Sequence, residues 1–318
     1  MCERIPTQSA TGPSDVRLIR YSLLIFVCLL IAYELAFRVL DRERPFAENQ
    51  WIRNFIIAQQ YIYDRQDSPV VIVGSSLSRR LRGDLLPSEV FNLSLGGLSA
   101  FDGINIVLRA DTRPKAIYIE TNVLTRDSSP DFEDRLLRPG LYTLRRWIIS
   151  LRDEGRSLTV GGTILCKSVE SLFRTVLGVS ALKRICPAPS PQESATSPKE
   201  GATKMFDQLL LLQTLQHQAA LTDKQRDRLA AELTTAIDTL VKRGINVVFF
   251  ELPINPELCE LPLLPSIRSL LRSQFPNQKY VRVADCNGVR TTDGIHLSGE
   301  ESETVTRQFA KILDQTTQ

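Results

Sequence analysis

The sequence predicts an α/β protein: a five-stranded parallel sheet between two helical layers, preceded by one membrane-spanning helix. Three observations predict it. Five short apolar runs, PVVIV (69–73), EVFNLS (89–94), KAIYIE (115–120), NVVFFEL (246–252) and YVRVAD (280–285), have the length and continuity of strands buried on both faces. Helical patterns separate most of them, and parallel neighbours need such crossovers. The stretch RYSLLIFVCLLIAYELAF, from Arg20 to Phe37, carries no charge except Arg20 and Glu34, and about 17–20 apolar residues cross a bilayer core.

Taken in order, residues 1–19 form a short tail and residues 20–40 the anchor. Arg17, Arg20 and Arg38 are placed to snorkel to the interfaces. A cleaved signal peptide would need small residues after the apolar run, and Ala32-Tyr33-Glu34 is a poor cleavage site. Arg4, Arg17 and Arg20 precede the span while Arg38, Arg42 and Arg44 follow it, so charge leaves the orientation open. Residues 45–318 hold the five strands. Within them a helix opens at Thr222, with Gln225 three residues on as a capping box, and stops at Gly244. A last helix runs from about Gly299 to Leu313, with Val305, Phe309 and Ile312 on one face.

The connection between the third and fourth strands, about 125–244, far exceeds the dozen or so residues that a crossover needs. It contains the helical patterns LYTLRRWIISLRD and SVESLFRTVLG around PAPSPQESATSPKEG (187–201), whose composition predicts disorder. The segment reads as an insertion, either a lid, a partner-docking element or simply solvated structure.

The 318 residues, 43% hydrophobic and 24% charged, suit a globular domain with ample core. A net charge of +3, with no basic cluster interleaved with aromatics, argues against nucleic acid as a partner. Cys2 precedes the span and Cys28 lies in it. Cys166, Cys186, Cys259 and Cys286 remain in the body, enough for one or two disulfides in three possible pairings, or for buried free thiols. With no C-x-x-C, a zinc site is not expected.

Four polar motifs fall at the carboxyl ends of the strands: Ser75-Ser76 after the first, NLSLGG (92–97) at the second, ETN (120–122) at the third and TTDGIHLSG (291–299) after the fifth. That edge is where open α/β sheets bind ligands. Of two histidines, His217 lies in a polar helical stretch and reads as a surface residue. His296 follows Asp293 by three residues, a spacing that lets a carboxylate orient the imidazole so that it can take a hydroxyl proton. One histidine without clustered thiolates makes a poor metal set, so neither metal nor cofactor is expected. Acyl transfer also needs donors for a developing oxyanion. A serine N–H after the first strand, the N–H near Ser94 and the Asn122 side chain are the candidates, with Gly96 and Gly97 allowing close approach.

In these blocks, over about 68–124 and 244–315, the chain resembles the SGNH (GDSL-like) hydrolase superfamily. DGIHLSG is a specific match, VGSSLSR a good one, and the two middle blocks are looser. The nearest likeness is to membrane-anchored bacterial envelope members, including alginate O-acetyltransferase and teichoic-acid D-alanine-transfer proteins. The resemblance implies a flavodoxin-like three-layer fold with the domain outside the cytoplasm, on the periplasmic side of the inner membrane. It implies Ser76 as nucleophile, His296 as base, Asp293 as its orienting acid, and Ser76, Ser94 and Asn122 as the oxyanion hole. Ser75 stands where the family has aspartate and is the alternative nucleophile; Ser94 stands where the family has glycine. The function implied is an O-acyl (acetyl) transferase or esterase on an envelope polysaccharide, without cofactor, beside a multi-span membrane acyltransferase. A non-catalytic scaffold or glycan binder, and a phosphate-binding protein using the GSSLSRR turn, are the alternatives. Neither requires Asp293 or His296.

Overall fold

The computed structural model describes residues 13–39, 49–110, 112–156 and 200–317. The chain divides into two compact units, residues 1–46 with 143–187 and residues 47–142 with 188–318. The first unit holds α1 (Pro13–Val39), in which Arg17–Leu35 is long and apolar enough to cross a membrane. Glu34, the one acid of the expected span, accepts hydrogen bonds from the backbone N–H groups of Ile149 (2.5 Å) and Ser150 (3.0 Å). It thereby satisfies donors at the start of the 3-10 turn Ile149–Leu151.

The second unit carries the sheet. Its elements run α2 (Gln50–Asp64), β1 (Val70–Gly74), α3 (Ser76–Arg79), β2 (Val90–Ser94), α4 (Ala100–Arg109), β3 (Ala116–Glu120) and α5 (Pro130–Leu136). Helices α6 (Leu141–Trp147) and α7 (Asp153–Arg156) follow, with most of α6 and all of α7 in the first unit. The chain resumes with α8 (Glu200–His217), α9 (Asp223–Lys242), β4 (Asn246–Glu251), α10 (Pro256–Cys259), α11 (Leu263–Gln274), β5 (Lys279–Arg282) and α12 (Gly299–Thr317). All strand pairs are parallel, in the order β2-β1-β3-β4-β5. The order reverses between β1 and β3, which opens a crevice at their carboxyl ends.

The five expected strands are all present, within a few residues of their expected ends. Val70, Val71, Ile72 and Val73 are successive and fully buried, as a central strand covered on both faces demands. The fifth strand ends early, at Arg282, although the Val283 N–H still bonds the Glu251 carbonyl of β4 (3.0 Å); Cys286, further on, is disulfide-bonded to Cys259. Cys166 and Cys186 lie outside the described residues. Helix α9 has the expected capping box between Thr222 and Gln225 and buries Leu229, Leu233, Ile237 and Leu240 along one stripe. Helix α12 places Phe309 against Phe250, with ring centroids 4.7 Å apart, and against the edge of Tyr118. Each such buried side chain contributes about 1.5–3 kcal/mol.

Two expectations need correction. His217 is buried, not on the surface: its Nδ1 lies 2.7 Å from the Gln213 carbonyl one turn earlier in α8. The first helix of the expected insertion, α5, belongs to the core, since Phe132 and Leu136 are fully buried and Phe132 packs on Phe55 and Trp51. The pattern SVESLFRTVLG and nearly all of 187–201 lie outside the described residues; residues 200 and 201 open α8.

Candidate active site

The turn after β1 is built around a carboxylate that the sequence reading passed over. Glu120, the last residue of β3, is buried and reaches across the crevice to the start of α3. Its Oε1 accepts from Ser75 Oγ (2.7 Å). Its Oε2 accepts from the Ser75 N–H (2.9 Å), the Ser78 N–H (3.1 Å) and Ser78 Oγ (2.5 Å). Gly74 makes room for this: a Cβ there would collide with Ser78 Oγ and the Glu120 side chain. Ser75 Oγ also caps α3 by accepting from the Leu77 N–H at 3.2 Å. Ser75 is therefore buried and fully engaged. Among the described residues the Ser76 N–H is the donor at this turn that no protein group takes.

Ser76 is instead half-buried and faces the loop after β5. Its Oγ lies 2.7 Å from His296 Nε2, and His296 Nδ1 lies 2.5 Å from Asp293 Oδ2. An ionised carboxylate only accepts, so Nδ1 carries the ring hydrogen and Nε2 accepts from the serine hydroxyl. Asp293 Oδ1 takes the backbone N–H groups of His296 (2.9 Å) and Ile295 (3.2 Å), which closes the loop into a tight turn. Gly294 has φ +98°, in the left-handed region, and a Cβ there would meet Leu210 at 3.0 Å. The Asp-Gly-x-His spacing thus reflects a turn that only glycine fits without strain. Arg80 fastens this loop to α3 by donating from Nη1 to the Leu297 carbonyl (3.1 Å) and to Thr292 Oγ1 (3.2 Å).

Burial pushes the Asp293 carboxyl up, but the hydrogen bonds from the His296 ring and from the two backbone N–H groups outweigh it and hold the group below its ordinary value. A folded pKa below the unfolded one contributes stability that is present above the unfolded value and lost as pH falls through the folded one. The stability difference between wild type and Asp293→Asn is therefore expected to be flat above about pH 5 and to shrink as pH drops below about 4. Unfolding midpoints of both proteins across that range check this; a difference that widened on acidification would contradict it.

The structure treats the other two oxyanion candidates differently. The Ser94 N–H is taken by Asn92 Oδ1 (3.1 Å), and Ser94 Oγ lies 2.7 Å from Ser78 Oγ, whose one hydrogen goes to Glu120. Asn122 is a clamp between strands: its Oδ1 accepts from the Leu252 N–H (2.9 Å) and its Nδ2 donates to the Leu252 carbonyl (2.8 Å). The Ser94 N–H is thus spent on Asn92, while Asn122 Nδ2 commits one of its two hydrogens to Leu252. The Gly96 backbone is engaged too, by the Asn54 side chain through its N–H (3.0 Å) and its carbonyl (2.8 Å). Asn54 lies on α2, a helix outside every motif, where it is a polar residue among the apolar Trp51, Ile52, Phe55, Ile56 and Ile57.

Among the described residues no group of three His, Cys, Asp or Glu side chains is placed to hold a metal ion. Two surface concavities, of about 540 and 450 Å³, lie over α11 and beside residues 283–289, and neither is lined by Ser76, Asp293 or His296. No protein-family model matches the chain, and no curated protein matches it.

Proposed function

We propose that this protein is a membrane-anchored serine acyl transferase or acyl esterase of the SGNH type, acting outside the cytoplasm on a bacterial cell-envelope carbohydrate. The observation that carries the reading is the continuous relay Ser76 Oγ–His296–Asp293, at 2.7 and 2.5 Å, on a parallel sheet with flavodoxin-like strand order. A scaffold or a simple anion binder has no use for that relay.

In the proposed reaction Ser76 Oγ attacks the carbonyl carbon of an acyl ester while its proton passes to His296 Nε2. The tetrahedral oxyanion is met by the Ser76 N–H. The intermediate collapses to acyl-Ser76 as Nε2 returns the proton to the departing alcohol oxygen. A sugar hydroxyl, or water, then loses its proton to Nε2 and attacks the acyl carbon, and the acyl–Oγ bond breaks as Nε2 returns that proton to Ser76 Oγ. Transfer and hydrolysis differ only in that last acceptor. Asp293 holds the tautomer and stabilises the imidazolium throughout.

The apolar helix Arg17–Leu35 supports anchoring, and the disulfide Cys259–Cys286 fits an oxidising compartment. With one such helix among its described residues, the protein suits a periplasmic transferase fed by a multi-span partner that brings the acyl group across. The test pairs two readouts. Alkaline phosphatase fused at the carboxyl terminus is expected to be active in cells, and the purified protein is expected to hydrolyse a chromogenic acetyl ester. An inactive phosphatase with a fluorescent cytoplasmic reporter at the same position would contradict the topology, and absence of ester turnover would contradict the chemistry.

A further inference from the structure

Beside Ser76 lies a cation that nothing in the fold uses. Arg79 follows Ser76 by three residues on α3, so the two side chains project from one face of the same turn. Its Nη1 is buried without a hydrogen-bond partner, and among the described residues no carboxylate pairs with its side chain. The residue keeps partial exposure, and of its guanidinium nitrogens Nη1 alone is buried without a partner. A second arginine makes the placement costlier. Arg53 extends from α2 next to Asn54, the residue that fastens Gly96. Burial, and then repulsion from Arg53, lower the Arg79 pKa to about 10. A lone buried cation facing a like charge destabilises a fold. Arg80, next in sequence, shows what a structural arginine looks like here, since its Nη1 is engaged on the His296 loop.

We infer that Arg79 and Arg53 form an oxyanion subsite beside Ser76, which takes a carboxylate or phosphate group of an anionic carbohydrate. The planar fork of a guanidinium suits such groups, which it binds through paired charge-assisted hydrogen bonds. The subsite deepens the proposed function by giving the charge of the sugar, but its binding does not depend on ester chemistry.

The test uses the full chain in neutral detergent. Binding of tri-galacturonate, glucose 1-phosphate and neutral maltotriose is measured calorimetrically for wild type, Arg79→Met and Arg53→Gln. Wild type is expected to bind at least one anionic sugar about tenfold or more tighter than maltotriose, and whichever of the two it prefers identifies the group as carboxylate or phosphate. Arg79→Met is expected to erase that preference and Arg53→Gln to reduce it. Because the subsite is strained when empty, Arg79→Met is also expected to raise the unfolding midpoint by about 2 °C or more. A structural arginine would do the reverse. Equal affinity of wild type for all three sugars, a preference that survives both substitutions, or a lowered midpoint in Arg79→Met would overturn the inference. Should Arg79→Met fail to fold, that too counts as the structural outcome. Ester turnover measured alongside separates the two ideas: turnover without anion preference sinks the subsite alone, and anion preference without turnover sinks the acyl-transfer reading alone.

Discussion

Ser76→Ala is expected to lower ester turnover by about 10,000-fold or more while moving the unfolding midpoint little, since the Ser76 side chain caps nothing and is only half-buried. His296→Ala is expected to match it, because nucleophile and base act as one unit and removing either removes the relay. Ser75→Ala should behave in the opposite way. Its hydroxyl caps α3 and donates to Glu120, so its loss is expected to cost about 1 kcal/mol of stability with only a modest drop in turnover. Turnover assays on the three variants, with denaturant titrations beside them, check the pattern. Full activity in Ser76→Ala with loss in Ser75→Ala would transfer the nucleophile to the neighbouring serine.

Glu120→Ala is expected to be the most damaging substitution outside the relay. It leaves the N–H groups of Ser75 and Ser78 and two hydroxyls without their shared acceptor in a buried site. Each unsatisfied buried donor costs about 1–3 kcal/mol, and hydroxyls can turn elsewhere, so a loss of about 3–5 kcal/mol is expected. Turnover should fall as well, because the turn that aims Ser76 at His296 is held from beneath by this carboxylate. Glu120→Gln keeps the shape but turns an amide NH2 toward a donor, and should lie between alanine and wild type on both readouts. Glu120→Ala with wild-type stability would show that the turn holds itself through Ser75 and Arg80.

The motif-bearing parts of the site were legible from the residues alone because their chemistry is local. A capping box at Thr222, an Asp-Gly-x-His turn and four successive β-branched or isoleucine positions in β1 each declare their structure within a few residues. What was not legible depends on which strands lie side by side. Glu120 sits in the same short motif as Asn122, and the pattern drew attention to the asparagine. Only the β1–β3 pairing brings the glutamate under Ser75, and only the β3–β4 pairing spends the asparagine on Leu252. Arg79 was hidden for a related reason: in sequence it is one of two adjacent arginines, and burial alone distinguishes it from Arg80. His217 looked exposed because its neighbours are polar, while its own side of α8 faces inward.

Trapping the acyl-enzyme tests the central claim most directly. The full chain is mixed with a chromogenic acetyl ester, quenched in acid within the first turnover, digested and mapped by mass spectrometry. The account predicts an acetyl group on Ser76, absent from Ser76→Ala and accumulating slowly if at all in His296→Ala. An acetyl group on Ser75, or a wild-type protein that turns over ester with no acylated serine at this turn, would contradict it.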